Sequence, residues 1–65
     1  MNNLKILRIK KGFTQKQVAE IIGIKPNRLS LIESGKRGAK PEIIVKLAKV
    51  YEVTADKILK YLIGE

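Results

Sequence analysis

The 65-residue chain is 45% apolar, lacks cysteine and histidine, and carries a formal net charge of +8. That length admits one domain around one small core, held by packing alone because no disulfide or thiolate metal site can staple it. The same absences exclude catalytic triads, thiolate nucleophiles and histidine-rich metal sites, and the glycines form neither a G-x-G-x-x-G nor a G-x-x-x-x-G-K phosphate loop.

The first helix is expected from about Asn3 to Lys11, with Leu4, Leu7 and Arg8 on one face and Gly12 as its stop. Thr14 is placed to cap the second, Gln17 three residues later completes a capping box, and Phe13 is positioned to staple onto Val18. Val18, Ala19 and Ile22 line its inner face, and Gly23 ends it with the left-handed backbone that a tight turn needs. The third begins at Lys25-Pro26, proline suiting a first helical turn. Its inward stripe is Leu29, Ile32 and Glu33; its outward stripe is Asn27, Arg28, Ser30, Leu31 and Ser34. Gly35 stops it, and a basic loop follows through Lys36, Arg37 and Lys40. Pro41 opens a fourth helix whose Ile44, Leu47, Ala48 and Tyr51 recur at helical spacing. Thr54 caps a fifth, about Ala55 to Ile63, burying Ile58 and Leu59 or Leu62. No alternating β pattern, hairpin dipeptide or internal repeat interrupts this order, so residues 1–65 read as one all-α domain.

Function becomes legible between Gln15 and Ser34. Ala19, four residues before Gly23, is small enough to let two helices cross closely, and Ile24 plugs the turn. Leu29 and Ile32 then pack the second helix of the pair onto the first, the spacing of a helix-turn-helix. Charge concentrates on the same part of the chain. Ten of the fourteen lysines and arginines lie in residues 1–40, opposed only by Glu20 and Glu33, whereas residues 41–65 balance four lysines against four carboxylates. A basic face joined to this turn chemistry points to duplex DNA; a lysine-rich solubility coat is the plainer reading of the charge alone. A membrane-surface peptide would show one large apolar helix face instead of tight turns. RNA binding lacks an aromatic-bearing sheet pattern, and Phe13, Tyr51 and Tyr61 read as core or interface.

On the outward stripe Asn27 suits an adenine edge and Arg28 a guanine edge, each by two hydrogen bonds. Ser30 and Leu31 complete the base-contacting set, Leu31 either against a thymine methyl or simply as an exposed leucine. Lys36, Arg37 and Lys40 read as phosphate contacts from the loop, or as a solvated loop, with Ser34 beside them. Tyr61, Leu62 and Ile63 lie beyond what so short a chain can bury, which predicts a homodimer through the fifth helix.

From Leu7 to Leu59 the sequence resembles the Cro/repressor-type helix-turn-helix family, also called the xenobiotic-response-element family. The resemblance is carried by Arg8, by Gly12-Phe13-Thr14-Gln15, by Val18-Ala19-Glu20, by Ile22-Gly23-Ile24, by Leu29-Ser30 and by Ile32-Glu33-Ser34-Gly35-Lys36, then by Leu47-Ala48, Val53-Thr54 and Ile58-Leu59. It implies a five-helix bundle of the phage-repressor DNA-binding type, whose third helix, about 26–34, enters the major groove. It further implies that Gln15 anchors a backbone phosphate and that Arg8 and Glu33 form a partly buried salt bridge tying the first helix to the reading helix. Members commonly repress transcription and bind as dimers. Three positions depart from the pattern. Lys25 replaces a Ser or Thr cap, putting Lys25 and Pro26 close to phosphate; Leu31 stands at a usually polar position; Glu52 replaces a turn glycine, leaving the end of the fourth helix open.

The expectation is therefore a sequence-specific double-stranded-DNA-binding transcriptional regulator, a repressor, with no enzymatic activity, cofactor or metal. The alternative is an antitoxin-type or other protein-interaction module using the same fold, for which Ile43, Val50, Tyr61, Leu62 and Ile63 offer apolar surface. The longest apolar run, Ile43-Ile44-Val45, is far too short to span a membrane, and Met1-Asn2-Asn3 shows no basic-then-apolar leader, so the expected compartment is the cytoplasm.

Overall fold

The computed structural model describes residues 3–63. Among them the chain forms five helices and no strand: α1 (Asn3–Lys10), α2 (Gln15–Ile22), α3 (Pro26–Glu33), α4 (Pro41–Tyr51) and α5 (Ala55–Leu62). The expected five-helix, all-α architecture is thus observed among the described residues. The expected single domain and the charge of Glu65 extend onto Met1, Asn2, Gly64 and Glu65, which lie outside the described residues.

The helix starts follow from side-chain chemistry. Thr14 Oγ1 accepts from the Gln17 amide at 3.1 Å while Gln17 Oε1 accepts from the Thr14 amide at 2.9 Å, a complete capping box. Thr54 does half of this for α5, accepting from the Lys57 amide at 3.1 Å. α3 and α4 begin differently, each with a lysine whose side chain makes no cap bond, followed by proline in the first turn. Proline needs no amide partner there, so one of the exposed donors of a helix start is simply absent.

α2 and α4 exit by one device. At Gly23 φ is 81°, and the amides of Gly23 and Ile24 both donate to the Ala19 carbonyl at 2.9 Å. α4 leaves in the same way at Glu52, a non-glycine residue with φ 56°, after which the Val53 amide donates to the Ala48 carbonyl at 3.0 Å. This resolves the end of the fourth helix: it stops at Tyr51, and a glutamate takes up the left-handed conformation usually left to glycine.

Every helix contributes to one core. Leu4 of α1, Val18, Ala19 and Ile22 of α2, Leu29 and Ile32 of α3, and Ile58 of α5 surround Ile43, Ile44, Leu47, Ala48 and Tyr51 of α4. Each fully buried leucine, isoleucine or valine contributes about 1.5–3 kcal/mol relative to exposure, which is what a chain without staples must rely on. Phe13 leans on the cluster, its ring tilted against Tyr51 with centroids 6.2 Å apart.

Two expectations are corrected here, and the α5 alternative of Leu59 or Leu62 is decided for Leu62. Ile43 is core, not surface, at 7% exposure, because α4 packs against both α2 and α5 and so buries a wider stripe than a helix with one neighbour. Leu59 is 45% exposed; α5 buries Ile58 and partly covers Ala55 and Leu62 on the same stripe, and Leu59 falls about 100° away from Ile58. Tyr61 and Leu62 pack partly against the core instead of standing free, which leaves only Ile63 of that trio exposed. α1, α3 and α5 each end one residue short of the expected end.

Candidate nucleic-acid interface

α3 is a helix with two unlike sides. Leu29 and Ile32 are fully buried, and Glu33 is 2% exposed. That carboxylate is held by three donors. Arg8 Nε donates to Glu33 Oε2 at 2.8 Å, Arg8 Nη2 donates to Oε1 at 3.4 Å, and Gln15 Nε2 donates to the same Oε1 at 2.9 Å. Arg8 Nη1 meanwhile donates to the Phe13 carbonyl at 2.8 Å. A buried charge is tolerable only when paired and hydrogen-bonded. Here the pairing ties α1, the start of α2 and the end of α3 together behind the open side of α3.

The α2–α3 turn sets the angle. Ala19 is wholly buried, so the helices approach closely, and Ile24 packs against the core just past the left-handed Gly23. Lys46 of α4 reaches the end of α2, its Nζ 3.4 Å from the Ile22 carbonyl, an acceptor with no partner inside the helix.

The opposite side of α3 is open. Asn27 and Ser30 are exposed, while Arg28 and Leu31 are half-covered. A cleft of about 410 Å³ runs from the turn at residues 23–25 past Asn27, Arg28 and Leu31 to Arg37 of the loop. Its cationic rim is Lys25, Arg28 and Arg37. Within it Arg28 Nε is sealed from solvent without a hydrogen-bond partner. A smaller hollow of about 240 Å³ lies beside it, lined by Lys5, Gln15, Ser30, Glu33 and Ser34.

The loop after α3 is anchored at its root. The Leu31 carbonyl accepts from the Lys36 amide at 3.1 Å, from the Arg37 amide at 3.3 Å and from Ser34 Oγ at 3.0 Å. Lys36, Arg37 and Lys40 project as exposed cations from a segment whose backbone is fixed at one end by these bonds and at the other by Lys40 as the cap of α4. The Ser34 hydroxyl spends its proton on Leu31, so it must turn before it can donate elsewhere.

The structure therefore gathers Asn27, Arg28, Leu31, Lys25 and Arg37 around one cleft, and Gln15, Ser30 and Ser34 around the hollow next to it. Tyr61, Leu62 and Ile63 lie on α5 and its cap, apart from both. Two features escaped sequence reasoning. Lys5 joins the hollow from α1; its spacing of three residues from Arg8 places it on the neighbouring helix face, the one available signal. Gln15 bonds Glu33, a contact between helices that no local pattern announces.

Tyr51 closes the back of the site. It is fully buried and its hydroxyl has no partner among the described residues. Burial raises its phenol well above the usual value, the nearby Glu33 charge raises it further, and Arg8 partly offsets both. No helix among the described residues is long and apolar enough to cross a membrane.

A family model described as helix-turn-helix matches residues 4–58. The chain is also similar to the HTH-type transcriptional regulator ImmR of Bacillus subtilis (strain 168), 39% identical over 62 residues, which are 95% of this chain and 46% of that protein. It thus spans about half the length of the curated relative that it matches.

Proposed function

The chain belongs to the Cro/repressor-type helix-turn-helix family of DNA-binding transcription regulators, and from that premise we propose that it is a sequence-specific repressor reading the major groove with α3. The observation that carries this reading is the division of α3: one side is locked by Leu29, Ile32 and the triply bonded Glu33, and the other presents polar and cationic groups around an open cleft. A helix so fixed holds its outward side chains in register before DNA arrives. In a helix-turn-helix the residues near the start of the second helix meet the base edges. Asn27, Arg28, Ser30 and Leu31 take that role. Gln15, Lys25, Pro26, Ser34, Lys36, Arg37 and Lys40 flank them as the phosphate contacts, joined by Lys5. Nothing else is needed from a cofactor or metal, and the protein acts as a binder, not an enzyme, alongside its DNA in the cytoplasm.

Residues 1–65 work as one DNA-binding unit, and α5 with its exposed Leu59 and Ile63 pairs two copies. A two-fold pair sets two reading helices about 34 Å apart, one turn of the duplex. Selection of bound sites from random duplex DNA tests the whole reading. Palindromic enrichment is expected. On the selected site Asn27→Ala and Arg28→Ala each cost about 1–3 kcal/mol, with much less loss on scrambled duplex. Equal weakening of both duplexes would remove α3 as a sequence reader and favour the antitoxin-type alternative.

A further inference from the structure

Arg28 and Leu31 stand one helical turn apart on α3 and line the same cleft. Residues at this spacing are surface neighbours, with Cβ atoms about 5–6 Å apart. Both are half-covered, so neither side chain is a freely sweeping surface group. The state of the Arg28 guanidinium is more specific. Its Nε is sealed and unpartnered, whereas its two terminal nitrogens are neither sealed nor bonded among the described residues.

An arginine reaches the guanine O6/N7 edge either sideways, through Nε and one terminal nitrogen, or end-on, through both terminal nitrogens. A sealed Nε removes the sideways approach. What remains is an end-on approach through the two terminal nitrogens, with Leu31 lining the same cleft. Thymine is the base that shows an apolar group, its C5-methyl, at the same groove edge. Resting on the major-groove reading above, we propose that Arg28 and Leu31 act as one unit that selects a guanine with a thymine in the adjoining base pair, on either strand. Arg28 forks onto guanine O6 and N7 end-on, and the neighbouring thymine methyl fills the apolar side of the cleft against Leu31. The methyl also shields the guanidinium from water, so the two contacts strengthen each other and are not additive.

The test uses the full chain and the duplex enriched from random DNA, in which a guanine–thymine neighbour pair is expected in each half-site. Two single-atom probes are built into that duplex. Deoxyuridine in place of the thymine deletes only the methyl, and 7-deazaguanine in place of the guanine deletes only the N7 acceptor. Deoxyuridine is expected to weaken wild-type binding about fourfold, the worth of one buried methyl group. 7-Deazaguanine is expected to weaken it about tenfold. Leu31→Ala abolishes the deoxyuridine effect, and Arg28→Met, which keeps an unbranched stem but carries no donor, abolishes the 7-deazaguanine effect. Circular dichroism melts establish that each variant is folded, and Leu31→Asn, of similar size but polar at its end, stands in if the alanine variant is not. Deoxyuridine penalties that stay equal in wild type and Leu31 variants overturn the proposal and leave the DNA-reading function intact. A failure to enrich or bind any duplex overturns both.

Discussion

Removing one partner of the Arg8–Glu33 pair is expected to cost far more than removing both. Glu33→Ala leaves a guanidinium that is 7% exposed with one remaining acceptor, the Phe13 carbonyl, and strands the Gln15 amide as well. The expected loss is about 3 kcal/mol or more. Replacing Arg8 and Glu33 together by a methionine and leucine pair should recover much of it; thermal melts of the single and double variants decide. Tyr51 makes the opposite case. Its orphan hydroxyl gains nothing from folding, so Tyr51→Phe is expected to melt at or above wild type, by up to about 1 kcal/mol. The pH dependence follows from the sign of its shift. The folded phenol titrates above the ordinary 10.0, so the stability it contributes is full below that value and is lost as pH rises past it, where the unfolded chain ionises and the folded one does not. Melts at about pH 8 and about pH 11 should therefore show a smaller alkaline loss for Tyr51→Phe. At this scale the inward placement of Arg8 and Glu33 was readable from the helix faces, and their pairing from the family resemblance. The Gln15 bond and the unpaired Tyr51 hydroxyl were not, because both depend on the distance between helices and not on any spacing along one.

Helix exits offer the cleanest comparison between elements. Gly23 and Glu52 adopt nearly the same left-handed conformation, φ 81° and 56°, but only one of them is suited to it. A Cβ built on Gly23 meets nothing within 4 Å, so the cost of Gly23→Ala is that of the backbone alone, about 1–2 kcal/mol. Glu52→Gly should move stability the other way by up to about 1 kcal/mol, since the strain it relieves is partly offset by the greater freedom glycine brings to the unfolded chain. Urea unfolding of both variants checks the pair, and the two shifts should have opposite sign. The sequence placed the five helix starts and the ends of four helices to within a residue, and left open the end of α4, where a glutamate stands in for the turn glycine. The burial of α4 and α5 was less legible. How wide a stripe a helix buries depends on how many neighbours it touches, and Ile43 and Leu59 sit at the edges of their stripes, where periodicity does not decide.

For the whole molecule the informative quantity is where the charge lies. The excess over neutrality belongs to residues 1–40, which build α1, the helix-turn-helix and the loop, so the elements that carry the positive charge were visible in the sequence before any fold. Binding to scrambled duplex is expected to be strongly salt-dependent. Lys36→Ala or Arg37→Ala should lower the log–log salt slope by about one unit for each phosphate left without its cation in each bound subunit. Titrations over a range of salt measure this. Assembly is less legible, because Tyr61 and Leu62 turn out to serve the core and leave Leu59 and Ile63 as the exposed residues of that end. The chain measures 25 × 24 × 22 Å across its Cα atoms, so two copies centred one duplex turn, about 34 Å, apart do not collide. Sedimentation at micromolar concentration, with Leu59→Lys as the disrupting variant, tests the pairing; a strict monomer that occupies single half-sites would end it.

The two-sided build of α3 bears on how such a protein diversifies. The residues that hold the helix, Leu29, Ile32 and Glu33, share no position with those that line the cleft. Asn27, Arg28 and Leu31 are thus open to exchange without disturbing the seam that fastens the helix. On the proposed reading of DNA by α3, a duplicated copy can acquire a new target by a few substitutions on one face. Folding and recognition are written in separate letters of the same eight-residue helix.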